Sequence, residues 1–139
     1  MALMIGLGLA IAVAGLARIV GLDRDRAFYP TVLIVVGSYY VLFATMIGSA
    51  EAVRVEVIFF LLFAAAAILG FRRSLWVVVA GLGMHGLFDF VRQHSMPASG
   101  APQWWPAFCG GFDVAAAMLL GALILADKGE GGRQSVSSL

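Results

Sequence analysis

Long apolar runs, rather than alternating apolar and polar positions, dominate this chain. Four breaks divide it into five runs at about 2–21, 29–50, 51–70, 74–94 and 105–127, each near the ~20 residues an α-helix needs to cross a bilayer. Asp23-Arg24-Asp25-Arg26 ends the first run, and Pro30 sits where a helix start tolerates a missing N–H. Gly48-Ser49-Ala50-Glu51 makes a tight corner, and Phe71-Arg72-Arg73-Ser74 separates the third and fourth runs. Pro97, Gly100, Pro102 and Pro106 interrupt the chain before the fifth. The pattern predicts an all-α integral membrane protein, a compact bundle of five transmembrane helices. Its short links predict that consecutive helices are antiparallel neighbours.

Composition supports the same class. The 139 residues are 62% hydrophobic and 12% charged, with mean hydropathy +0.98, more apolar surface than a soluble domain of this size buries. Residues 1–127 are expected to form one bundle, and the Gly/Ser-rich stretch 128–139 a disordered cytoplasmic tail. A net charge of +1 gives no reason to expect a nucleic-acid partner. Cys109 is the sole cysteine, which excludes an internal disulfide and a multi-cysteine metal site.

Lysine and arginine choose an orientation. With the N-terminus outside, Arg18, Arg24, Arg26, Arg72, Arg73, Lys128 and Arg133 fall on the cytoplasmic side and only Arg54 and Arg92 on the outer side. The expected location is a bacterial inner membrane, multi-pass. Ala12-Val13-Ala14 looks like a signal-peptidase site, but residues 1–5 lack the Lys or Arg of a signal peptide's start, so the first run is read as a span.

Against this background the ionisable residues inside the spans stand out. Such groups are costly in a bilayer and usually face a bundle interior or a water-filled cavity. His85, Asp89 and Arg92 are spaced i, i+4, i+7, one stripe of the fourth helix. Cys109 and Asp113 are four apart on the fifth, and Glu56 lies about one and a half turns into the third. In the expected orientation all share the outer half of the bundle. Asp89 can pair with His85 or Arg92 on its own helix, whereas Asp113 must find its partner elsewhere. Glu51 and Arg54, three apart, suit an exposed pair at the rim.

Glycines at 81, 83 and 86, and at 110 and 111, permit a close approach of the fourth and fifth helices. The small-residue pairs Gly111/Ala115 and Ala117/Gly121 predict a fifth helix packed on more than one side. Trp104-Trp105 suits an interfacial anchor or a lid over the polar cluster. Tyr39 and Tyr40 point about 100° apart, so one of them at most faces that cluster.

A His/Asp/Glu set in an apolar bundle suits acid–base work on a lipid-soluble molecule, such as isomerisation or epoxide opening. The residues expected to carry it are His85, Asp89, Asp113 and Glu56, with Arg92, Tyr39, Tyr40, Trp104, Trp105 and Cys109 contacting the ligand. The expected partners are membrane lipid and an apolar or amphipathic small molecule, with a homo-oligomer as a further option.

The competing class is a homo-oligomeric proton- or cation-coupled transporter or relay, or a structural subunit of a larger membrane complex. A metal held by His85, Asp89, Asp113 and Glu56 ranks lower, because the Glu-x-x-His signature of diiron bundles is missing. No metal or cofactor is therefore expected. His94 is nine residues from His85 on the same helix and cannot complete a bis-His haem site with it. No nucleotide loop, nucleophile elbow or zinc-protease helix is present.

Overall fold

Local stop and start signals act where the chain needs them. Gly21 adopts a left-handed conformation (φ 84°), cheap for a residue without Cβ, and its N–H closes on Ala17 O to end the first helix. The Ser49 hydroxyl accepts from the Ala52 N–H at 3.2 Å and caps the start of the third. The computed structural model places α1 at Ala2–Val20, α2 at Phe28–Met46, α3 at Ala50–Arg72, α4 at Leu75–Ser95 and α5 at Trp105–Ser137. A short 3-10 turn, Leu22–Arg24, lies between α1 and α2.

The backbone is described for residues 1–95 and 100–137, and side-chain surroundings for 1–92 and 100–128. Among the described residues there is no strand, and all five helices are long and apolar enough to cross a membrane. The expected tail, 128–139, coincides with the last turns of α5, and Ser138 and Leu139 lie outside the described residues. Pro97 also lies outside them.

The helices follow a spatial order that differs from chain order. α1 packs on α5, α5 on α4, α4 on α3 and α3 on α2, while α2 also touches α4. The expectation that consecutive helices are neighbours therefore holds for every pair except α1 and α2. Two glycines explain the exception. A Cβ on Gly6 would lie 1.9 Å from the Phe108 carbonyl oxygen, and one on Gly111 would lie 2.4 Å from that of Leu3. Bare backbones at both positions let α1 lie directly against α5. Gly111 thus serves α1 rather than α4.

Side chains are distributed inside out relative to a soluble domain. Ile19, Met84, Phe90 and Met118 point outward, while Glu56, His85, Asp89, Arg92 and Asp113 are buried. The fully buried apolar residues Leu33, Ala67, Val78 and Leu82, with Leu120, fill the bundle toward its Arg72 end. There Arg26 donates to the carbonyls of Phe71 (2.6 Å) and Gly70 (3.2 Å), satisfying acceptors that the end of α3 leaves open.

Candidate functional site

The site begins with two glycines facing each other. A Cβ on Gly86 of α4 would come within 3.4 Å of the Gly110 carbonyl oxygen, and the reverse substitution meets Gly86 O at the same distance. Gly81 instead meets Leu33 of α2, and Gly83 meets nothing within 4 Å. Beside the Gly86–Gly110 contact, each helix contributes two polar residues one turn apart: His85 and Asp89 from α4, Cys109 and Asp113 from α5. Their donor atoms all lie within 4.8 Å of one another, and all four residues are buried.

Within this tetrad, His85 Nδ1 is 2.7 Å from Asp113 Oδ2 and 3.7 Å from Asp89 Oδ2. Cys109 Sγ is 3.7 Å from the same Asp113 oxygen. His85 thus keeps the expected partner on its own helix at 3.7 Å and makes a closer contact with the neighbouring helix, where Asp113 finds the partner it lacked. Tyr40 and Cys109 face the Asp89 carboxylate. Even so, neither Asp89 oxygen, nor Asp113 Oδ1, is in hydrogen-bond geometry with any group among the described residues. Buried polar atoms are nearly always paired, so three such oxygens in one place require a cause.

A second buried pair adjoins the first. Arg92 of α4 forms a salt bridge with Glu56 of α3, not with Asp89. The Arg92 guanidinium lies over the rings of Tyr40 (5.5 Å) and Phe88 (5.7 Å). Glu56 therefore belongs to this pair and does not join the tetrad. Of the two tyrosines, Tyr40 is buried and faces Asp89, whereas Tyr39 turns outward against Trp105, with ring centroids 4.9 Å apart. Trp104 is exposed. Among the described residues Glu51 and Arg54 form no ion pair; Arg54 donates to the Ala50 carbonyl. The side chain of His94 lies outside the described residues.

Phe63 and Phe88 were not singled out from the sequence. The Phe63 ring meets His85 edge-on at 4.7 Å, and Phe88 packs against Phe59, Phe63 and Tyr40. A signal for them exists, because Glu56, Phe59 and Phe63 share one helical face, as do His85 and Phe88.

Between α1, α2 and α5 lies an apolar groove of about 470 Å³. Leu9 of α1, Val32, Val35 and Tyr39 of α2, and Phe108 and Phe112 of α5 line it, with Cys109 in its wall. Cys109 is the residue common to groove and tetrad. The arrangement offers a nitrogen, a sulfur and carboxylate oxygens converging behind an apolar entrance, a set able to move a proton, hold a polar headgroup or ligate a cation. No known family model, curated protein or solved structure matches the chain.

Proposed function

We propose that the chain is a multi-pass membrane protein whose buried cluster is the polar end of a site for a lipid-soluble or amphipathic small molecule. The single observation carrying this reading is that Cys109 belongs both to the apolar groove and to the tetrad behind it. A molecule entering sideways from lipid would lay its apolar body along Val32, Val35 and Phe112 and direct its polar end past Cys109. A hydrogen-bonded His85–Asp113 pair in an apolar shell suits general acid–base chemistry such as isomerisation or epoxide opening.

The outward-facing apolar side chains fit hydrocarbon surroundings. The proposed orientation puts the Gly48 corner outside and the Arg72 corner in the cytoplasm, following the basic residues. A proton or cation relay ranks second, because the bundle core toward the Arg72 corner is apolar at Leu33, Val78 and Leu82 and offers few polar groups among the described residues.

Native mass spectrometry of the protein released from mild detergent, wild type beside Asp113→Asn, tests the reading. A small molecule retained by the wild type and lost from the variant is expected, and its mass identifies the ligand class. A ligand-free protein in both cases overturns the groove reading and moves the relay or structural-subunit reading ahead.

A further inference from the structure

The tetrad has a composition and spacing that acid–base chemistry alone does not require. Four donors around a zinc-class ion at ~2.0–2.3 Å stand about 3.3–3.8 Å apart when tetrahedral. The His85–Asp89 and Cys109–Asp113 distances are both 3.7 Å, and no pair of donors exceeds 4.8 Å. The 2.7 Å His85–Asp113 contact is shorter than this, and opens to coordination distance if each side chain turns toward a shared centre.

An independent observation points the same way. Asp89 is wholly buried, and neither of its oxygens is in hydrogen-bond geometry with a group among the described residues. Its nearest cationic partner is His85 at 3.7 Å, and its carboxylate faces the other three donors. Two carboxylates share one imidazole here, whereas the nearby guanidinium of Arg92 is engaged with Glu56. One divalent ion would offset two of the three negative charges that Asp89, Asp113 and a Cys109 thiolate bring, while leaving His85 neutral, the form that ligates. The mixed donor set selects among metals. Calcium and magnesium favour six or more oxygen ligands, whereas imidazole, thiolate and carboxylate together suit a borderline-soft ion. Phe63 against His85 and the closed Gly86–Gly110 contact supply the dry shell around it.

We propose that His85, Asp89, Cys109 and Asp113 form a binding site for one divalent transition-metal ion of the zinc class. His85 ligates through Nδ1, each aspartate through a carboxylate oxygen, and Cys109 as thiolate, its proton passing to water as the ion enters. The assignment stands apart from the groove reading: a metal can sit here with no ligand in the groove, and a ligand can bind over a metal-free His85–Asp113 pair.

The test uses the full chain in mild detergent, prepared without chelators, with metal per chain measured first. Metal-depleted protein is then titrated with Co²⁺ alone. About one ion per chain is expected, with the visible absorption of four-coordinate cobalt and a thiolate-to-cobalt charge-transfer band. Cys109→Ser should remove the charge-transfer band, and Asp89→Asn should weaken binding at least about tenfold. Helical circular dichroism and a single elution peak establish that each variant is folded. If neither variant folds, the wild-type titration still decides. A folded wild type that takes up no stoichiometric zinc or cobalt overturns the proposal. So does a cobalt spectrum without the thiolate band, or one that both variants leave unchanged. Native mass spectra report the groove ligand separately, so either reading can fail while the other stands.

Discussion

The imidazole of His85 on α4 is closer to Asp113 on α5, at 2.7 Å, than to Asp89 one turn along its own helix, at 3.7 Å. The polar site is therefore an interhelical construction, completed only when α4 and α5 dock through Gly86 and Gly110. It also leaves Asp89 as the member of the tetrad whose oxygens lie outside hydrogen-bond geometry among the described residues, with His85 at 3.7 Å and Tyr40 and Cys109 facing them.

Asp89→Asn follows from that imbalance. Replacing this buried carboxylate by an amide of nearly the same shape removes the part of its burial cost that belongs to the charge. Metal-free Asp89→Asn is expected to melt at or above the temperature of the metal-free wild type in the same detergent. A large drop in melting temperature would show that Asp89 is held by structural partners instead.

The Glu56–Arg92 pair behaves oppositely. Arg92→Leu strands a buried carboxylate and is expected to cost about 3–5 kcal/mol of unfolding free energy. Adding Glu56→Leu removes the stranded charge and should recover most of that loss, since a buried pair is often replaceable by apolar residues. Equal losses in the single and double variants would contradict the pairing.

The limits of legibility are physical and local. Helix positions could be read within a few residues except at the end of α5, which runs to Ser137 rather than about 127, because apolar run length and the turn residues act locally: Gly21, Ser49 and Arg72 each mark an end. His85, Asp89 and Asp113 were also visible, since ionisable residues in apolar runs are rare. Their pairing was not. Spacing on one helix offered His85–Asp89, which forms at 3.7 Å, and Asp89–Arg92, whereas rotation of α4 against α3 and α5 adds the closer His85–Asp113 contact and pairs Arg92 with Glu56. Cys109 could be placed one turn from Asp113, yet its position between groove and tetrad depends on α1 lying on α5. Chain order argued against that contact, because short links favour sequential packing.

Gly6 and Gly111 carry the contact. Gly6→Val or Gly111→Val would drive a side chain into the backbone of Phe108 or Leu3, an overpacking expected to cost about 1–3 kcal/mol. Gly8→Ala, with nothing within 4 Å of its added Cβ, should be nearly neutral. Thermal unfolding of the three variants in one detergent checks the ranking. A Gly6→Val protein as stable as Gly8→Ala would mean that α1 does not rest on α5 there.

The proposed orientation has a labelling test. In a Cys109→Ala background, Ala50→Cys at the start of α3 and Asp25→Cys before α2 place single thiols on exposed positions at opposite ends of the bundle. An impermeant maleimide applied to intact cells should label the cysteine at 50 and reach the one at 25 only after permeabilisation. The reverse pattern would invert the orientation, and labelling of both in intact cells would contradict a span count that puts the two positions on opposite sides.

The seating of α1 on α5 also sets an order of assembly. A chain synthesised from its N-terminus completes α1 first, yet the surface that receives it belongs to the last of the five helices. Until α5 emerges, Gly6 has no backbone to rest against and His85 has no Asp113. The same late event therefore docks the first helix, forms one wall of the groove and brings the four donor groups together, so no partial bundle made during synthesis holds a finished site.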